Sequence, residues 1–172
     1  DPVWITAFYI HVFSAVIALG AGFTQFSKSF LRNHRKWHRM LGKTYAWNIM
    51  LINFPAAMIL AINANGGLAG KTAFILLDCL WVVFTFKAVI CAQNKDFYRH
   101  ERYMIRSYAL TLSAITLRLW HLILLRYFDM EGTSLYVMEA WLGFVPNLLI
   151  AECIICNKNY RLKSAPRKES SM

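Results

Sequence analysis

The sequence predicts an all-α, multi-pass membrane bundle of about five helices, and three observations carry that prediction. The 172 residues are 58% hydrophobic and only 16% charged, with a mean hydropathy of +0.38, greasier than water-soluble domains of this size usually are. Five stretches reach the roughly twenty apolar residues a helix needs to cross a hydrocarbon core about 30 Å thick. The basic residues collect between alternate stretches instead of spreading evenly. Each stretch reads as helix because only helices and closed barrels satisfy every backbone group in lipid.

The first span, 4–27, contains "HVFSAVIALGAG", in which Ser14, Ala15, Ala18 and Gly22 stack on one side at three- and four-residue spacing. That small face leaves room either for a bulky planar guest or for a closely packed neighbouring helix. The second, 40–62, holds Pro55 near its middle, which reads as a single kink. "NANGGLAGK" follows as a turn-rich loop into the third span, 72–93. The fourth span, 104–127, includes "ITLRLWHLILLRYF", and the fifth, 135–156, ends in "CIIC". One membrane domain therefore covers 1–156, and 157–172 reads as a basic, disordered tail. The first apolar run is too long for a signal core, and because the chain begins at Asp1 rather than Met, five spans is a minimum count.

A net charge of +10 invites a nucleic-acid reading, but the distribution points elsewhere. Lys28, Arg32, Arg35, Lys36 and Arg39 follow the first span, Lys95, Arg99, Arg102 and Arg106 follow the third, and the tail is basic again. The other side has little beyond Lys71 and Arg126, accompanied by Asp1, Asp129 and Glu131. By the positive-inside rule the N-terminus lies outside and the C-terminus in the cytoplasm, in a plasma or inner membrane whose anionic headgroups are the partner of the basic side. Trp4, Trp37, Tyr98, Tyr103, Tyr127 and Tyr136 sit near span ends, where aromatic anchors belong. No phosphate loop, nucleophile elbow or dinucleotide fingerprint is present, so the sequence supports no soluble-enzyme chemistry. Cys79, Cys91, Cys153 and Cys156 all fall within spans and read as packing residues.

Polar groups inside the spans carry the functional information, because burying an ionisable side chain in a membrane is expensive. By helix rise, His11 and His121 each lie about 10 Å below the outer surface. Two imidazoles at one depth on different helices suit a bis-histidine b-type haem, with the iron held from both faces. A quinone or metal site, and plain helix-to-helix hydrogen bonding, are the alternatives. Arg118, one turn deeper than His121 and on the same face, needs a partner. Asp78 at a similar depth offers one, or a haem propionate could. Glu139 is level with His121 and can orient it. Lys87 and Glu152 make a second candidate pair toward the cytoplasm. On that side His34 and His38 are four residues apart, a spacing that could bind a metal with His100 as third ligand. His38 and His100 could instead hold a second haem, although an arginine-rich stretch bearing a tryptophan more often docks on headgroups.

"HRMLGKTY", at 38–45, and "HERYMIRSYALTLSAITLRLW", at 100–120, resemble the two signatures of an uncharacterised membrane-protein family, domain of unknown function 2306. "HVFSAVIALGAGFTQF" extends the resemblance, which covers about 9–127. The matching positions are His11, His38, Arg39, Gly42, Tyr45, His100, Arg106, Tyr108 and Arg118. The second signature more often carries a tryptophan where this chain has Tyr103. The family has no settled activity, so the resemblance implies a fold and no reaction. A looser, architectural resemblance links the paired histidines to b-type cytochromes of the cytochrome b561 kind. Three classes of function remain: a haem-binding electron carrier working with quinone, an accessory or scaffolding subunit of a larger membrane complex, and a small anion or proton transporter. Against the transporter, the sequence shows no inverted repeat and no pair of broken helices.

Overall fold

The computed structural model describes residues 1–128 and 132–164. Asp129, Glu131 and the last eight residues of the expected tail lie outside the described residues. Within them the chain is helical, with no strand. Helix α1 (Pro2–Gln25) starts on Asp1, whose Oδ1 accepts from Val3 N at 2.9 Å, with Pro2 in the first turn where no N–H is needed. A short α2 (Lys28–Asn33), capped by Ser27, leads to α3 (Arg35–Trp47). A π-helical segment (Asn48–Asn53) then joins α3 to α4 (Phe54–Ile62), and together they form the second span. The long α5 (Gly67–Gln93) is the third. Two further pairs, α6 (Phe97–Thr111) with α7 (Ser113–Phe128) and α8 (Gly132–Leu142) with α9 (Val145–Ser164), make the fourth and fifth.

The spans begin earlier than hydropathy suggests, at Arg35, Gly67 and Phe97 rather than at 40, 72 and 104. Hydropathy marks where lipid ends, whereas a helix continues to its cap, such as Asp96 accepting from Arg99 N at 3.0 Å. At the C-terminal end α9 runs to Ser164, past the expected limit at Cys156. The loop between α4 and α5 turns on Gly66, which has φ of 85° and whose absent Cβ would sit 2.8 Å from Val137 Cγ2. Only glycine meets both conditions.

Three of the five spans are irregular, which corrects the expectation of one kink and no broken pair. Pro55 lacks an N–H and crowds the carbonyl four residues back, and the helix widens into the π segment just before it, Phe54 N reaching Ile49 O. The fourth span breaks at Leu112 and the fifth at Gly143 and Phe144, the latter just ahead of Pro146. These two breaks are stitched together. Asn147 Nδ2 donates to Ala109 O (3.1 Å), Gly143 O (3.2 Å) and Thr116 Oγ1 (3.0 Å), and Thr116 Oγ1 donates to Gly143 O at 2.5 Å. Side chains thus satisfy carbonyls that the broken helices release, as lipid requires.

Helix α5 is the centre of the bundle, flanked by α6, α4 and α8, while α1 lies against α3, the π segment and α4. The core between them joins Ala18, Tyr45, Ile49, Trp81, Leu110 and Phe144. Large apolar side chains such as Phe13, Phe23, Leu51 and Leu122 point outward, the inverse of a water-soluble surface. With five helical spans long and apolar enough to cross a bilayer, the chain is a multi-pass integral membrane protein.

Candidate functional site

A lattice of hydroxyls occupies the middle of the bundle. Tyr45 OH, fully buried, lies 2.8 Å from both Ser107 Oγ and Thr111 Oγ1. Thr85 Oγ1 lies 2.7 Å from Ser107 Oγ, and Trp81 Nε1 donates to Thr111 Oγ1 at 3.0 Å. Helices α3, α5 and α6 are thereby locked without a single charge. Sequence reasoning missed this cluster, although a signal exists: Trp81 and Thr85, like Ser107 and Thr111, are four apart and so share a helix face. The Oγ of Thr85 and of Thr111 also bond the carbonyl one turn back.

The small face of α1 is filled by side chains and leaves no room for a planar guest. A Cβ on Gly22 would lie 2.5 Å from Tyr108 Cε2 and 3.0 Å from Tyr45 Cε2, and Tyr108 OH donates to Leu19 O at 3.2 Å. Higher up, Asn48 Nδ2 donates to Ser14 O and Asn53 Nδ2 to Ser14 Oγ, both at 2.7 Å. Close helix packing, the second alternative for this face, is what the structure contains.

At the end of the bundle away from the basic loops, His121 Nδ1 donates to Glu139 Oε2 at 2.6 Å, tying α7 to α8. Glu139 is buried while the imidazole is 46% exposed, so its Nε2 is available. His11 stands on α1, which does not pack extensively on α7. Arg118 is close enough to His11 to act on it electrostatically. His11 Nδ1 and Asn53 Oδ1 are both buried without a hydrogen-bond partner. The expected pairing of Arg118 with Asp78 is absent. Arg118 Nη1 instead donates to Ala114 O, one turn back on its own helix, at 2.6 Å, a bond that needs no second helix. Asp78 is 4% exposed and takes no hydrogen bond or ion pair from the described residues.

The basic end differs again from expectation. Lys87 does not meet Glu152. Arg106 holds Glu152 in a two-pronged bond, Nε to Oε1 at 2.5 Å and Nη2 to Oε2 at 2.9 Å, the fork geometry a lysine cannot supply. The Arg106 guanidinium also lies 5.6 Å from the Tyr103 ring centre, and Lys87 Nζ 5.7 Å from the same ring. His100 Nδ1 donates to Ala88 O at 2.8 Å. A carbonyl only accepts, so Nδ1 carries a hydrogen. His38, near enough to His100 to feel its charge, has a buried Nδ1 without a partner. His34 stays apart, exposed against the Phe30 ring at 5.6 Å. The three-histidine metal site is therefore not assembled, and no group of three or more metal-binding side chains comes together among the described residues. Cys153 and Cys156 are exposed free thiols.

The model of a family described as predicted membrane protein (DUF2306) covers residues 8–155. No curated protein and no solved structure matches.

Proposed function

The chain belongs to the predicted membrane protein family DUF2306, and from its polar interior we propose that it binds haem b between His11 and His121 and carries electrons in the membrane. One observation supports this reading above the others. His121 has its Nδ1 held by the Glu139 carboxylate, the arrangement that typically orients a metal-ligating imidazole and raises the basicity of its free Nε2. His11 stands on α1 with the Asn53 side chain as the polar neighbour of its imidazole, and Arg118, with one nitrogen on Ala114 O, has N–H groups left for a propionate. The donor set of two imidazoles and a guanidinium suits the group chemically. A bound haem supplies one-electron chemistry. The chain's contribution is to hold the two imidazoles, to counter the propionate charge with Arg118 and to keep water out with the lipid-facing apolar shell. Quinone is the electron partner a bilayer offers.

The same reading extends to the basic end, where His100, oriented by Ala88 O, and His38 offer a second pair of nitrogens. It also sets the N-terminus outside and the basic side in the cytoplasm, against anionic headgroups.

Protein purified from haem-replete cells is expected to show a Soret band that sharpens and shifts on dithionite reduction. His11→Ala and His121→Ala should each abolish that band or, with a second haem present, reduce it by about half. His34→Ala, at an exposed histidine outside both pairs, should leave it intact. A colourless preparation would end the proposal. The His121 to Glu139 bond also suits a second reading, an accessory subunit in which that bond merely clasps α7 to α8. In that case both alanine variants lower thermal stability and change no spectrum.

A further inference from the structure

Six acids lie among the described residues, and five of them are engaged. Asp1 and Asp96 cap helices, Glu101 pairs with Lys158, Glu139 bonds His121 and Glu152 bonds Arg106. Asp78 alone has no partner among the described residues, and it is the least exposed of the six, at 4% on α5, where Leu77 and Trp81 are also buried. A carboxyl kept only to fix helix packing would be expected to bond the neighbour it fixes, as Glu139 and Glu152 do. An ionised carboxylate without a counter-charge or hydrogen bond is too costly to persist in such surroundings.

The elements packed against α5 offer no charge to answer it. The π segment and α4 contain no ionisable side chain. From α8 come Tyr136 and Glu139, the latter already bonded to His121. The basic groups of α6 and α3 crowd the opposite end, with Arg106 committed to Glu152. Arg118, the expected counter-ion, is turned to its own helix. A metal cation needs several ligands, and no three His, Cys, Asp or Glu side chains come together among the described residues. A proton needs one.

We propose that Asp78 is a proton-binding site of the membrane domain, taking one proton onto a carboxylate oxygen and giving it back to water. The step forms or breaks a single O–H bond and moves no electron. It stands apart from the haem reading and requires no cofactor.

Dicyclohexylcarbodiimide, an apolar reagent, tests this on the full chain in detergent or vesicles. It reacts with a protonated carboxyl: the acid hydrogen passes to a reagent nitrogen, the oxygen adds to the central carbon, and rearrangement leaves a stable acylurea. The expected result is one reagent mass on the peptide bearing Asp78, at a rate that falls tenfold per pH unit once pH passes the titration midpoint and is unchanged by sodium chloride. Asp78→Asn should lose the label and Asp78→Glu keep it. The infrared carbonyl band of a buried acid, shifting on transfer to D2O, reports the same proton in the unsubstituted protein. Absence of both the label and the band at every pH overturns the proposal. Protection by sodium at fixed pH also overturns it, because the ligand is then a metal cation.

Discussion

Gly22 and Gly20 are two residues apart on α1 and meet different surroundings. Alanine at Gly22 would drive a Cβ into the Tyr108 ring at 2.5 Å, whereas nothing lies within 4 Å of the Gly20 position. Gly22→Ala should therefore lower stability by about 1–3 kcal/mol through overpacking, and Gly20→Ala should raise it by up to about 1 kcal/mol through helix propensity. Reversible unfolding by SDS in mixed micelles reads both, and equal effects would mean that Tyr108 does not seat against α1. Tyr45→Phe removes one hydroxyl shared between Ser107 and Thr111, a loss of about 1 kcal/mol by the scale of interhelical bonds measured in membranes. The sequence signalled Gly22 only as one of a run of small residues. Which large side chain fills the notch depends on α6 arriving beside α1, and no spacing within α1 contains that information.

At the scale of elements, the breaks in the fourth and fifth spans depend on Asn147. Asn147→Leu keeps the bulk and removes the amide that serves Ala109 O and Gly143 O. The predicted loss is about 1–3 kcal/mol for buried acceptors left unpaired, with faster hydrogen exchange at the amides flanking Leu112 and Gly143. Unchanged exchange there would show that the breaks hold without the stitch. Pro146 and Pro55 were both visible in the sequence, yet a proline states only that a helix must yield nearby. Where it yields, and that Pro55 is preceded by a π segment turning Asn48 and Asn53 toward Ser14, is decided by the neighbouring helix that receives those side chains. The break at Leu112 has neither proline nor glycine to announce it.

For the whole molecule, the distribution of basic residues bears on orientation. With the N-terminus outside, a cysteine placed in the Asn63 to Gly66 turn should react with an impermeant maleimide in intact cells, and one placed at Asn94 should react only after permeabilisation. The reverse pattern would reject the proposed orientation. Composition, hydropathy and the spacing of charges by themselves determined that this chain crosses a membrane about five times as helices, because the demand to satisfy every backbone group in hydrocarbon leaves a window of twenty apolar residues almost one meaning. They also marked His11, Arg118, His121, Asp78 and Glu139 as the residues to watch, because buried charge is rare there. Only the tertiary structure decided the partners. Helix rise sets depth but leaves rotation about each axis free, so groups at one level need not face each other. Glu139 turned to His121, Glu152 turned to Arg106 rather than Lys87, and Asp78 faced neither Arg118 nor any other charge.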